Sequence, residues 1–451
     1  MPCRPRRLSC MTIGFLGSFA LALMAGACSP VTDTSQLTSP ASPETQTAPR
    51  PTASPTPPLP AHIQDLELIA LDQPGSWRVI GLLASDSSVS HSGISIEVSL
   101  LDGEGEVVSG QVVSPLFPDL LGQDTVPFKA DFQAGTKVER VVAAPLGYRL
   151  ATVERAQVEA KVTRAFSGED GQTRVLGELV SSGSTAAVVS GLAVVARNPE
   201  GRIVDLSSRV ISLAGMSPSG RAPFLALVEL APLGFDFQAF VEAIHTAEAE
   251  SGRLAFEQAP SLVINARRAP FLLGSLRNHG AKAQWVRGIV SFKYRGEIVT
   301  LGEIRSPVPL AGGEALAFSL EDLPGLLTLV RGDPQAAAQI EILPEVDWAG
   351  SLDPAPPPIP LPITIDAYEA VGETLILRGV VANPTPDPVS SATVFAAVRT
   401  LKGGLVAAGW LKAVEVLNSG ARTDVVLTLR LAEDVDPTDM EFDIRAFGVG
   451  P

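Results

Sequence analysis

Cysteine is almost missing from this sequence, and where it occurs is informative. The chain has 451 residues and three cysteines, Cys3, Cys10 and Cys28, all at the N-terminal end. Beyond residue 28 there is no thiol for catalysis, no internal disulfide and no cysteine zinc site. Aromatic residues make up only 5%, so stacking platforms for sugars or bases are scarce. The four tryptophans fall at different places along the chain and read as packing residues. Basic charge is short as well: 34 Lys and Arg against 49 Asp and Glu give a net charge of −15. Acidity on that scale excludes nucleic acid as a partner, since phosphate binding needs a basic face. There are four histidines, His62, His91, His245 and His279, and none lies within four residues of another. That excludes HExxH and related zinc spacings; His91 and His279 read as solvated turn residues. No phosphate-binding loop, dinucleotide glycine pattern or G-x-S-x-G elbow is present, so nucleotide and serine-hydrolase chemistry have no signal. No cofactor is implied. Long apolar runs are confined to Ile13–Met24.

What is present begins at the N-terminus. Arg4, Arg6 and Arg7 precede that apolar run, and Ala25-Gly26-Ala27-Cys28 follows it. Residues 1–27 therefore read as an export signal, because the run is short for a membrane span. The segment resembles a bacterial lipoprotein signal. The resemblance implies diacylglycerol on the Cys28 thiol after cleavage and a location outside the cytoplasm, on a membrane. Ala25 stands where that family usually has leucine, and Ala25-Gly26-Ala27 also fits plain secretion without lipid. Residues 28–61 follow as a disordered tether: nine of the 33 residues from Ser29 to Ala61 are proline, seven threonine and five serine. Such a stretch cannot bury enough apolar surface to offset its ordering entropy.

The rest of the chain repeats itself. A strand-like run with an internal glycine, followed four residues later by Ser or Asn, recurs around Gly81, Gly177, Gly274 and Gly379, at intervals of 96, 97 and 105 residues. The residues four on are Ser85, Ser181, Asn278 and Asn383. A second glycine keeps step at 105, 201, 296 and 403. Phe128 and Phe224 lie 47 residues after the first glycine, Phe318 lies 44 after, and Val425 or Val426 stands in for them in the fourth copy. Ile94–Leu100 and Val290–Arg295 alternate strictly, which predicts strands with one buried face. Glycine in mid-strand costs stability, so its recurrence predicts a bulge or close packing from a second sheet.

These features predict an all-β fold of four tandem immunoglobulin-like β-sandwich domains after the signal peptide and tether. The domains are placed at 62–154, 155–258, 259–350 and 363–451, with the proline run of 351–362 as a linker. The units resemble modules of the FxLYD type, carried best by Val98-x-Leu100-Leu101-Asp102. That resemblance implies packing and turn positions but no site residue. Phe235–Glu250 fits either a closing strand or a short helix, and the strand is preferred because Phe442-Asp443-Ile444 repeats it. The acidic turn at 102–106 has carboxylates for calcium but lacks the full ligand series; DVDPTD at 434–439 is a second weak candidate.

The functional expectation is a non-catalytic, membrane-anchored protein of the cell envelope, working in display, adhesion or scaffolding. Its partner would be a protein or a cell-surface polymer. A solute- or carbohydrate-binding lipoprotein of an uptake system is the alternative, and an enzyme the third class.

Overall fold

The computed structural model describes residues 60–450, except 135–136, 169–170, 247–253, 266–268, 322, 334, 352–354 and 433–438. The expected signal peptide, Cys28 and nearly all of the tether lie outside the described residues, as does most of the DVDPTD loop.

The first copy holds β1 (Ala61–Ala70), β2 (Ser76–Ser85), β3 (His91–Leu101), β4 (Val107–Val113), β5 (Asp119–Leu120), β6 (Thr125–Gln133) and β7 (Arg140–Leu150). The second holds β8 (Val158–Ser167), β9 (Thr173–Ser181), β10 (Ala187–Arg197), β11 (Ile203–Leu206), β12 (Arg209–Ser212), β13 (Gly215–Met216), β14 (Arg221–Val228) and β15 (Asp236–His245). The third holds β16 (Leu254–Ile264), β17 (Pro270–Asn278), β18 (Arg287–Tyr294), β19 (Glu297–Arg305), β20 (Ala315–Leu320), helix α1 (Pro324–Gly332) and β21 (Ile340–Val346). The fourth holds β22 (Ile359–Leu361), β23 (Ile363–Val371), β24 (Thr374–Ala382), β25 (Val389–Thr400), β26 (Leu405–Leu417), β27 (Arg422–Arg430) and β28 (Met440–Val449).

One pairing scheme recurs. The first sheet of each copy is β1-β2-β6, β8-β9-β14, β16-β17-β20 or β23-β24-β27. The second is β4-β3-β7, β11-β10-β15, β19-β18-β21 or β26-β25-β28. All of these pairings are antiparallel, and the scheme is that of an immunoglobulin-like β-sandwich. The described residues are thus almost all β, with one short helix, and within the ambiguous segment at 235–250 residues Asp236–His245 form the closing strand β15.

Alternation explains the faces. In β3, Ile94, Ile96, Val98 and Leu100 are buried, while Glu97 faces solvent. The matching strand of the third copy, β18, is buried on both faces, because Ile289 on its outer side packs into the second copy's cluster.

The landmark glycines are places of close approach between strands, from the facing phenylalanine at three of them and from the Thr364 carbonyl oxygen, 2.2 Å from a Cβ, at Gly379. Gly81, Gly177 and Gly274 pair across the sheet with Phe128, Phe224 and Phe318, and Gly379 pairs with Val425. A Cβ on Gly177 would lie 2.2 Å from Phe224 Cζ and 2.5 Å from the Lys161 carbonyl oxygen. On Gly81 and Gly274 it would lie 2.5 Å from the facing phenylalanine Cζ. On the other flank the first strand of every copy carries a bulge: at Gln64/Glu67, Val162/Arg164, Gln258/Ser261 and Ile365/Ala367. So the close approach comes from neighbouring strands of the same sheet, not from the second sheet. The later glycines at 105, 201, 296 and 403 all have φ between 82° and 88°, the left-handed region their hairpin turns require.

Asn278 and Asn383 close equivalent loops. The Nδ2 group of Asn278 donates to the carbonyls of Lys282 (2.8 Å) and Leu310 (2.9 Å); that of Asn383 donates to Asp387 and Leu417, both at 2.9 Å. Both side chains are buried. Each ties two loops to a strand end through one amide.

Three expectations need correction. The boundary at 258/259 falls inside β16, whose pairing with β17 already begins at Leu254. The proline run at 351–362 is not only a linker: Ile359–Leu361 pairs with β28, an edge position where proline's missing N–H is tolerated. His91 is not a solvated turn residue; it opens β3, is buried, and stands edge-on to Tyr148 at 4.9 Å.

Candidate functional site

The distinctive chemistry of this chain lies between copies. Buried apolar side chains form clusters dominated by one copy each, yet they cross the boundaries. Ala193, Val195 and Phe240 of the second copy belong to the first copy's cluster. Ile289 and Leu301 of the third belong to the second's. Phe395 and Trp410 of the fourth pack on the third's. The described residues accordingly group as one compact unit.

At the first joint, Phe117 lies against Gly191, where a Cβ would be 2.2 Å from its ring. Arg197 donates to Asp65 at 2.7 Å, and Asp65 takes a left-handed φ of 51° within the β1 bulge. Arg78 faces the fully buried Asp205 at 3.6 Å. Glu242 is 1% exposed. Its carboxylate accepts from the Asp119 N–H at 3.1 Å and from the Ser190 hydroxyl.

At the second joint, Asp347 of the third copy reaches into the second. It accepts from the N–H groups of Ala214 (2.8 Å) and Gly215 (2.9 Å), and from Ala349 in its own loop (3.1 Å). Arg287 faces it at 3.3 Å. Trp348 covers Gly215, where a Cβ would sit 2.4 Å from the indole. Arg164 pairs with Glu297 at 3.3 Å, and Arg209 with Glu303 at 3.1 Å. A third joint has an apolar centre: Phe271, Leu273 and Ala408 form a cluster of their own, while Arg430 stacks over Phe271 at 5.7 Å and pairs with Glu321 at 3.5 Å.

Two open clefts adjoin these joints. One, of about 630 Å³, lies between the second and third copies and is lined by Arg164, Arg221, Lys293, Glu178, Glu297 and Glu345 among others. Burial raises the pKa of Glu345, and nearby Lys293 partly offsets it. The other, of about 750 Å³, lies along β8 and β15.

Glu242 titrates near neutrality. Burial pushes its carboxyl up to about 7, with Asp119 and Asp124 adding repulsion against the hydrogen bonds from Ser190 and the Asp119 N–H. The stability it contributes is fully present below pH 4.5 and is lost as pH rises through 7. Glu242→Gln is therefore expected to unfold at nearly the same urea concentration as wild type at pH 5. It should be more stable than wild type at pH 8, by about 2.5 to 3 kcal/mol at the usual 1.4 kcal/mol per pKa unit over the roughly two units between pH 5 and the folded pKa of about 7. A wild-type midpoint that does not fall between pH 5 and pH 8 would contradict this.

Among the sequence candidates, the 102–106 turn is closed by its own backbone: Asp102 Oδ1 accepts from the N–H groups of Glu104 (2.9 Å) and Glu106 (3.0 Å). Among the described residues, no group of three or more His, Cys, Asp or Glu side chains could hold a metal ion, and no helix is long and apolar enough to cross a membrane. The landmark glycines Gly81, Gly177, Gly274 and Gly379 are packing positions spread over four sheets, and nothing brings them together. The joints escaped sequence reasoning. Their one visible signal was that Trp348 and Trp410 break the repeat's periodicity, as residues serving a single boundary must.

No protein-family model matches the chain, and no curated protein does. Among solved structures, it is similar to the native conformation of Escherichia coli alpha-2-macroglobulin, with 12% identity and a TM-score of 0.13, covering 84% of this chain and 26% of that one. It is also similar to the trypsin-activated alpha-2-macroglobulin of the same organism, with 11% identity and a TM-score of 0.14, covering 87% and 33%. The chain thus spans about a quarter to a third of the length of those proteins. Its all-β architecture stands on its own strand pairing.

Proposed function

We propose that this protein is a non-catalytic scaffold of the cell envelope, anchored by lipid on Cys28 and held off the membrane by the proline-rich tether. In this reading it presents four immunoglobulin-like domains of FxLYD type in a fixed mutual orientation to a protein or surface-polymer partner. The observation that carries the reading is the buried second joint, where Asp347 and Trp348 of the third copy complete the backbone and packing of the second. Flexibly linked domains bury little between them; polar groups desolvated at a boundary hold one geometry, because sliding would leave them unpaired. A scaffold needs that, and a swinging display arm does not.

The anchor is tested by expressing the full chain in a bacterial host with labelled palmitate. Wild type should carry label and sediment with membranes, while Cys28→Ser should carry none and appear in the soluble extracytoplasmic fraction. Equal partition of the two would contradict the anchor.

A further inference from the structure

One packing rule joins the copies. The outer face of each copy's first sheet receives the outer face of the next copy's second sheet. Thus β1, β2 and β6 meet β11 and β15; β12 and β14 meet β19; β17 and β20 meet β25 and β26. Among the described residues this leaves two faces uncovered: the second sheet of the first copy and the first sheet of the fourth. They are the two different halves of that same joint.

Burial records which faces are covered. In β2, β9 and β17 most residues are buried whichever way they face. In β24 burial alternates, so one face is open, and β3 alternates likewise. The open face of the first copy carries the exposed Val107, Val112 and Val142, and that of the fourth carries Val371 and Val426. Val112 is the cross-strand partner of Glu97, Val142 of Ser99 and Val426 of Arg378. The third copy, covered on both sides, exposes no large apolar side chain among its described residues. Tandem arrays that stay single end in polar caps; both ends of this one present valine.

The centres of the two open faces carry opposite charges. The residue before the landmark glycine is Ile80, Leu176 and Leu273 in the first three copies, all buried at a joint, and the exposed Arg378 in the fourth. On the second sheet, Ala193, Ile289 and Phe395 lie eight, seven and eight residues before the turn glycines at 201, 296 and 403, and each packs on the preceding copy. Eight residues before Gly105 stands the exposed Glu97. Within the chain, Ile80 shares a cluster with Ala193, and Leu176 with Ile289. Glu97 and Arg378 have no ion-pair partner among the described residues. At the ends, then, an acid and a base stand where the joints inside the chain set two apolar side chains. Such a pair favours unlike ends and repels like ones.

We infer that this protein associates with further copies of itself: the fourth copy's first sheet in one molecule receives the first copy's second sheet of the next, with Glu97 facing Arg378. The two faces differ, so the contact is heterologous and repeats into a ring or an open filament. Ser95, Glu97 and Ser99 make the centre of one face polar, which leaves this contact weaker than the buried joints within the chain. The inference goes beyond the scaffold reading by naming a partner, and it holds or fails whether or not Cys28 is lipidated.

The test is sedimentation velocity of the full chain carrying Cys28→Ser, which removes any lipid, from micromolar to millimolar concentration. The weight-average mass should rise with concentration. Glu97→Arg and Arg378→Glu should each weaken association at least tenfold with the melting temperature unchanged, since both side chains are exposed. The double variant Glu97→Arg/Arg378→Glu restores opposite charges across the contact and should return to within about threefold of wild type. A mass that stays that of one chain at every concentration, association that neither single variant weakens, or a double variant no better than the single ones would each overturn the inference. None of these outcomes touches the joints within the chain, which carry the scaffold reading.

Discussion

Gly177→Ala is expected to cost about 3 kcal/mol or more in urea denaturation, among the largest effects of any single methyl group in this chain. The new Cβ would meet the Phe224 ring at 2.2 Å and the Lys161 carbonyl oxygen at 2.5 Å. The ring is fully buried, and the carbonyl is backbone beside a bulge. Overpacking a filled core typically costs 1–3 kcal/mol, and a backbone clash adds to it. The cause is separable. Phe224→Leu alone should destabilise by about 1–2 kcal/mol through lost packing. In the Gly177→Ala background it should cost clearly less, because it relieves half of the clash; the coupling should reach about 1 kcal/mol. Gly147→Ala is the control, since nothing lies within 4 Å of a Cβ there, and should stay within about 0.5 kcal/mol. Equal effects at 177 and 147 would show that the glycine–phenylalanine pairing is not what the repeat preserves.

Asp347→Ala is the second large effect, and it reports on the joint rather than on a core. Its carboxylate serves two N–H groups of the second copy and faces Arg287, all at 3.3 Å or less. Removing it strands three buried donors, the N–H groups of Ala214, Gly215 and Ala349, and a half-buried guanidinium, a loss of about 3–5 kcal/mol for a buried charge left unpaired. Asp347→Asn should fall between, since one oxygen still accepts while the amide cannot balance Arg287. The exposed pair Arg221–Glu178, with 68% and 36% of the side chains accessible, is the comparison; Arg221→Ala should cost under about 1 kcal/mol. Comparable losses at the two pairs would contradict a buried clamp.

The sandwiches were legible because their signals are local. Alternation in Ile94–Leu100, the turn glycines at 105, 201, 296 and 403, and the spacing from Gly177 to Phe224 are fixed by strand period, φ and cross-strand register. Each recurs because each copy solves the same folding problem. The joints were not legible, because each boundary is solved once. Phe117 against Gly191, Asp347 on Gly215 and Trp410 on the third copy share no spacing with one another. A glycine such as Gly215 reads in sequence as a loop residue until the facing indole is seen. His91 misled for the same reason: its neighbours suggest a turn, and only Tyr148, 57 positions on, shows it buried. The proline run misled in the other direction, since proline composition marks an extended segment without saying whether a sheet edge receives it.

The account turns on neighbouring copies being held as one body by shared cores and buried clamps, and differential scanning calorimetry of the full chain tests that most directly. A single independent copy of about 95 residues would unfold with roughly 65 kcal/mol near 60 °C. Coupled copies should give a transition whose van't Hoff enthalpy is at least about twice that, and Asp347→Ala should split it into separate peaks. Four independent transitions of roughly 65 kcal/mol in the wild-type chain, with Asp347→Ala altering none but its own copy's, would contradict the account.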